Sequence, residues 1–134
     1  MNIKQIAQIT GLTAKTIRFY ESKNIISPPE RGINGYRQYD IRHIDELTFL
    51  RRSRSIGFSL PESKELLELY LNPSRHSSEI KQRTLDKIAH IEQQILQLQA
   101  MKTQLESLAA ECPGDEQSQC PIIDSLSGKN DCAG

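Results

Sequence analysis

The sequence predicts a mainly α-helical chain: an amino-terminal winged helix-turn-helix, one long dimerisation helix and a short cysteine-bearing segment at the carboxy terminus. Three observations predict it. Two short amphipathic stretches flank Gly11. Asn34-Gly35, a strong turn signal, lies among residues that suit strands. Residues 77–111 contain neither glycine nor proline and repeat apolar positions at alternating spacings of four and three.

The elements follow in order. Ile3, Ile6, Ala7 and Ile9 form an apolar stripe at helical spacing, so the first helix is expected to bury that face. Thr13 is a good N-cap for a second helix running to about Lys23, with Ile17 and Tyr20 on its apolar face. Asn24 can take the left-handed conformation that ends a helix. Helix, glycine turn, helix is the helix-turn-helix pattern, although many helical hairpins share it. Pro28 and Pro29 forbid helix, while Tyr36 and Tyr39 suit strands; residues 30–39 are predicted to form a small β-wing. Asp40 can cap a third helix that ends near Gly57, with Ile41, Ile44, Leu47 and Leu50 facing inward. Ser59 and Glu62 then make a capping box around Pro61, opening a fourth helix that runs to about Leu71.

Thr84, Ile88, Ile91, Ile95, Leu98, Lys102 and Leu105 trace a coiled-coil seam along a helix ~50 Å long. Such a helix cannot bury its seam alone, and the chain offers no second helix of similar length, so a homodimer is expected. Beyond Glu111, Pro113 and Gly114 break the helix, and Cys112 and Cys120 flank a polar loop. "CPIIDSLSG" predicts a short helix with Pro121 at its first position and Gly128 past its end; "KNDCAG" is expected to fray. The expected organisation is a DNA-binding domain over 1–71, a linker over 72–76, the dimerisation helix over 77–111, and a metal-binding loop, short helix and flexible tail over 112–134.

Composition narrows the function. Hydrophobic content of 37%, aromatic content of 5% and the absence of tryptophan suit elongated helices better than one large core. No apolar run approaches the ~18 residues a membrane span needs. "MNIKQIAQIT" lacks the apolar stretch of a secretory signal, so a cytoplasmic chain with reduced thiols is expected. The formal net charge of zero hides a split: residues 1–60 carry 10 Lys/Arg against 5 Asp/Glu, and residues 61–134 carry 7 against 12. A front half at +5 points to a polyanion, and double-stranded DNA fits the helical hairpin. Lys15, Thr16 and Arg18 would meet base edges from the start of the second helix. The Tyr20 hydroxyl, the wing residues Arg31, Tyr36 and Arg37, and the third-helix arginines Arg51, Arg52 and Arg54 would reach the backbone. A charge run alone is commonly a solvated helix face; hairpin, wing and arginines together are not explained that way.

"IAQITGLTAKTIRFYESKNII", "GYRQYD" and "GFSLPES" resemble the amino-terminal domain of MerR-type transcriptional regulators. With the long helix and "CPGDEQSQCPIIDSLSG", the resemblance covers nearly the whole chain and points to the metal-sensing, copper-efflux branch. It implies a dimer joined by an antiparallel coiled coil. It also implies activation by DNA distortion: effector binding bends and underwinds a pseudo-palindromic promoter, bringing its elements into register for RNA polymerase. Zinc- and mercury-sensing relatives carry a cysteine at the start of the long helix. Here that residue is Ser77, a poor soft ligand, expected to act both as cap and as metal filter. The tail "KNDCAG" departs from the cysteine- and histidine-rich tail of the copper branch, so Cys132 is not expected to be a required ligand.

Two thiolates suit a soft monovalent ion, Cu(I) above all, with Ag(I) and Au(I) sharing its preference; zinc takes three or four protein ligands. Asp115 and Glu116 offer hard oxygens, better solvated than bound. Cys120 would gain from the amino-terminal dipole of the short helix, whereas Cys112 faces the unfavourable end of the long one. Metal binding is expected to relieve Cys112 and order the loop. A redox switch built on the same pair stays open. A thiol-disulfide oxidoreductase is disfavoured, because the chain has neither Cys-x-x-Cys nor a βαβ pattern, and no spacing supports a catalytic triad or phosphate loop. Among the histidines only His76, beside Ser77, is a candidate ligand; His43 and His90 are expected at the surface, and Met101 is expected to pack.

Overall fold

The structure, a computed structural model, describes residues 1–115, 118 and 120–128. The described elements are α1 (Ile3–Thr10), α2 (Ala14–Ser22), β1 (Glu30–Arg31), β2 (Arg37–Gln38), α3 (Ile41–Ser55), α4 (Leu60–Leu71), α5 (Ser77–Glu111) and α6 (Pro121–Leu126). They divide into two compact units, Met1–Lys87 and Ile88–Gly134, with α5 running through the boundary. The architecture is the mainly helical one predicted, with the winged hairpin between α2 and α3.

Caps set the helix limits in the first unit. Asn2 opens α1 with a capping box: its side chain accepts from the Gln5 N–H at 2.9 Å, and the Gln5 side chain accepts from the Asn2 N–H at 2.9 Å. Gly11 closes α1 at φ 76°, where a side chain would be strained, and this left-handed residue makes the turn into α2. Thr13 caps α2 as predicted, accepting from the Thr16 N–H at 3.1 Å. Asn24 follows at φ 57°. Asp40 opens α3, and Ser59 with Glu62 opens α4 through the predicted capping box.

One core joins these elements: Ile6, Ile17, Tyr20, Ile26, Tyr39, Leu47, Leu50 and Leu67 are buried together. Two predicted inward positions are corrected. Ile41 is 78% exposed and Ile9 is 56% exposed. Ile41 is the first residue of α3, where its side chain leans back past the helix end and finds no neighbouring element. His43, expected at the surface, is instead fully buried. Its Nδ1 accepts from the Asp40 N–H at 3.0 Å, so Nε2 carries the proton and donates to the Ser27 carbonyl at 3.0 Å. Glu46, one turn further along α3, accepts from both the N–H and the hydroxyl of Ser27, at 3.1 and 2.8 Å. These two residues pin the chain just before Pro28-Pro29 enters the wing.

The beginning of α5 belongs to the first unit and is tied to α4 by charge. Lys87 Nζ lies 2.8 Å from Glu62 Oε1, and Arg83 pairs with Glu65. The Lys87 ammonium, then the Ser59 N–H, hold the Glu62 carboxyl down to about 2. Ser63 on α4 is fully buried, and its hydroxyl has no partner among the described residues. An unpartnered buried hydroxyl costs about 1–3 kcal/mol, and alanine is the better helix former. Ser63→Ala is therefore expected to raise the stability of this unit by about 1 kcal/mol in urea unfolding. A loss of stability would mean that the hydroxyl has a partner after all.

In the second unit no residue of α5 is buried, and Ile88, Ile95, Leu98 and Leu105 of the predicted seam are exposed in the single chain. Helix α5 ends at Glu111, two residues before Pro113, and α6 starts at Pro121 as predicted.

Candidate DNA-binding face and paired thiols

The basic face is built from α2 and the wing. Lys15 and Arg18 are exposed on α2, on the side opposite the buried Ile17 and Tyr20. Thr16 is spent partly on the helix cap: its hydroxyl accepts from that of Thr13 at 2.8 Å, which leaves its own proton available. Tyr20 packs its ring into the core. In the wing, β1 and β2 pair antiparallel with Arg31 opposite Arg37. Arg31 Nη1 donates to the Gly35 carbonyl at 3.0 Å and braces the wing tip, where Gly35 takes φ 79°. Tyr36 is exposed beside it. Arg18, Tyr36 and Arg37 line one concave surface together with Asn2, Ile3, Asn34 and Gln38. Arg54 is exposed in the last turn of α3, where a cation also suits the helix dipole.

Arg37 has an intramolecular partner that the sequence did not indicate. Its Nε donates to both carboxylate oxygens of Glu21, at 3.0 and 3.1 Å. Tyr39 donates its hydroxyl to the same carboxylate at 3.0 Å. Burial, then the Glu21 hydrogen bond, push the Tyr39 phenol up to about 12. The one sequence signal for this contact was local: Glu21 places a negative charge in the last turn of α2, against the helix dipole.

Cys112 and Cys120 come together across the loop, with their sulfurs 3.5 Å apart and both residues half-buried. Cys120 is the N-cap of α6. The N–H of Ile123, then the Cys112 thiol, then the N–H of Ile122 hold its thiol below the ordinary range. This is the direction expected at a helix amino terminus. Among the described residues no group of three or more His, Cys, Asp or Glu side chains could share a metal ion. Among the described residues the soft donors gathered here are these two sulfurs, a pair whose chemistry suits a soft ion better than a hard one.

Models of two family regions match the chain: the MerR HTH family regulatory protein over residues 1–70, and the MerR DNA-binding region over residues 44–108. The chain belongs to the MerR family. Among curated MerR proteins it is 56% identical over 128 residues to the HTH-type transcriptional regulator CueR of Escherichia coli O6:H1, covering 96% of this chain and 95% of that protein. The transcription regulator PbrR691 from Ralstonia metallidurans CH34, solved with lead(II), superposes with a TM-score of 0.84 at 29% identity, covering 94% of this chain and 98% of that one. MerR from Bacillus megaterium, solved with mercury(II), gives 0.69 at 30% identity, covering 90% and 94%.

Within this MerR-family fold the remaining predicted residues are also placed. Ser77 is the first residue of α5 and is exposed, as is His76 before it. Met101 is exposed on α5. Glu116 and Cys132 lie outside the described residues. No described helix is long and apolar enough to cross a membrane.

Proposed function

We propose that this MerR-family chain is a Cu(I)-responsive transcriptional activator, with Ag(I) and Au(I) as further effectors. The observation that carries the reading is the pair of half-buried sulfurs 3.5 Å apart, with no third ligating side chain grouped with them among the described residues. Cys112 and Cys120 would hold the ion. Bound there, it supplies a soft positive charge that is shared by two thiolates. Cys120 is prepared for this by the backbone N–H groups of α6, and Cys112 ties the site to the end of α5. Ser77 contributes by what it lacks: an oxygen at the start of α5 adds no soft donor for a divalent ion.

The exposed apolar seam of α5 supports a homodimer, which is the arrangement that would cover Ile88, Ile95, Leu98 and Leu105. The exposed Lys15, Arg18, Tyr36 and Arg54 support binding of double-stranded promoter DNA, where RNA polymerase is the further partner. The reading needs reduced thiols, and hence a reducing compartment such as the cytoplasm. One anaerobic titration tests the metal assignment: reduced protein, Cu(I) and a competing chelator, repeated with Zn(II) present. One Cu(I) retained per chain, undisturbed by Zn(II), is expected, with Ser77→Cys raising Zn(II) retention. Displacement of Cu(I) by Zn(II) in the unmodified chain would overturn the assignment. DNA binding that responds to peroxide and not to Cu(I) would replace it with a redox switch on the same pair.

A further inference from the structure

We infer that Glu21 is a positioning residue for DNA binding. Its carboxylate locks the wing to the recognition helix α2 through Arg37 and Tyr39, so that Arg37 serves as a strut and not as a phosphate contact. The inference rests on the DNA-binding reading above.

Glu21 is locally the wrong residue three times over. It puts a negative charge one turn along α2 from Arg18. It is acidic in the final turn of α2, where the dipole favours a cation, and that turn has no basic residue to compensate. It is also kept mostly from water, with its side chain 16% exposed. A residue that conflicts with local preference at this many levels is held by a tertiary role. The role is visible in the geometry. Three hydrogen bonds converge on its carboxylate from two positions on either side of Gln38: Arg37 in β2 and Tyr39 just after it. A carboxylate accepting from a guanidinium is among the stronger and more directional of hydrogen-bonded pairs.

The far end of the strut is itself fixed. Tyr39 is 2% exposed, donates its N–H to the Met1 carbonyl at 2.8 Å, and meets the His43 ring edge-on at 5.3 Å. Arg37 is half-exposed and sits in the ladder opposite Arg31. The wing has only two residues per strand and cannot hold its own angle. Glu21 supplies what the short strands lack, a rigid connection between the helix carrying Arg18 and the hairpin carrying Tyr36. Those two side chains line the same concave surface, and their separation decides whether both can meet one duplex at once.

The inference makes a prediction of opposite sign to simple electrostatics. Glu21→Ala removes a negative charge from a DNA-facing surface and substitutes a better helix former, and both changes favour tighter binding. If Glu21 is the strut, binding weakens instead. The test uses full-length reduced protein and a 30-base-pair duplex (a length of about three helical turns) selected by the unmodified chain from a randomised pool. Affinity is measured by fluorescence anisotropy across a salt series, below the melting temperature of each variant. Glu21→Ala is expected to bind about tenfold more weakly, with a shallower salt slope as wing contacts to phosphate are lost. Arg37→Lys keeps the charge but not the fork, and is expected to show a similar loss. The double variant should be no weaker than either single one, because both break the same link. Cu(I) retention, which depends on other residues, should be unchanged in all three.

Equal or tighter binding by Glu21→Ala overturns the inference. So does Arg37→Lys within about twofold of the unmodified chain, since a phosphate contact needs only the charge. Fully additive losses in the double variant also overturn it. If Glu21→Ala does not fold at the assay temperature, Arg37→Lys decides the question. Failure of the unmodified chain to enrich any duplex would remove the DNA-binding reading and this inference together.

Discussion

Leu47→Ala is expected to cost the amino-terminal unit about 2–5 kcal/mol, and Ile41→Ala, on the same helix, next to nothing. Both leucine and isoleucine were predicted to face inward. Leu47 is fully buried in the cluster formed with Ile6, Ile17, Tyr20, Leu50 and Leu67. Truncation there removes apolar contact and leaves a cavity among side chains from α1, α2 and α4, which can close only by shifting three helices. Ile41 loses little on truncation, because most of it already meets water. Small domains have about 5–15 kcal/mol in total, so Leu47→Ala removes a large share of this unit's stability and lowers its urea midpoint accordingly. Urea unfolding of the two variants side by side checks the assignment. Equal losses would mean that α3 is rotated from the orientation described.

The contrast between those two residues marks where the sequence was sufficient. Helix ends were legible where a breaker or a cap stands: Gly11 and Thr13 around the first turn, Ser59 with Glu62 before α4, and Pro113 after α5. Helix α5 runs from Ser77 to Glu111, the limits predicted from the run free of glycine and proline. The orientation of α3 was less legible. Its inward face is half polar, since His43 and Glu46 turn toward Ser27 and bury there as a hydrogen-bonded network. A stripe drawn through the apolar residues alone therefore began two residues early, at Ile41 instead of His43. The site divides in the same way. That two thiols flank a loop is written in the sequence; that their sulfurs lie 3.5 Å apart is a property of how the loop closes. The tie from Glu21 to Arg37 and Tyr39 spans 16 and 18 residues and has no periodicity to announce it.

Replacing either Cys112 or Cys120 by serine is expected to abolish Cu(I) binding at micromolar protein, and with it any metal-dependent transcription. The expectation follows from the number of donors. A four-ligand site stripped of one sulfur keeps three; a pair keeps one, beside a hydroxyl that is hard and protonated at neutral pH. Even second-layer partners of metal ligands are worth 10–100-fold in affinity, so a missing ligand should exceed about 100-fold. Neither replacement should unfold the chain, because both residues are only half-buried and outside the core cluster. The two variants should fail alike in metal retention although their surroundings differ. The α6 backbone lowers the Cys120 thiol, and that advantage is useless without a second sulfur to complete the site. The measurement is chelator-competed Cu(I) retention, paired with thermal melting and duplex binding of the same preparations. Intact melting and duplex binding with lost Cu(I) retention supports the pair. Retention within about tenfold of the unmodified chain in either variant would mean that another donor steps in, and Cys132 would be the residue to replace next, since a two-sulfur site has no spare ligand of its own.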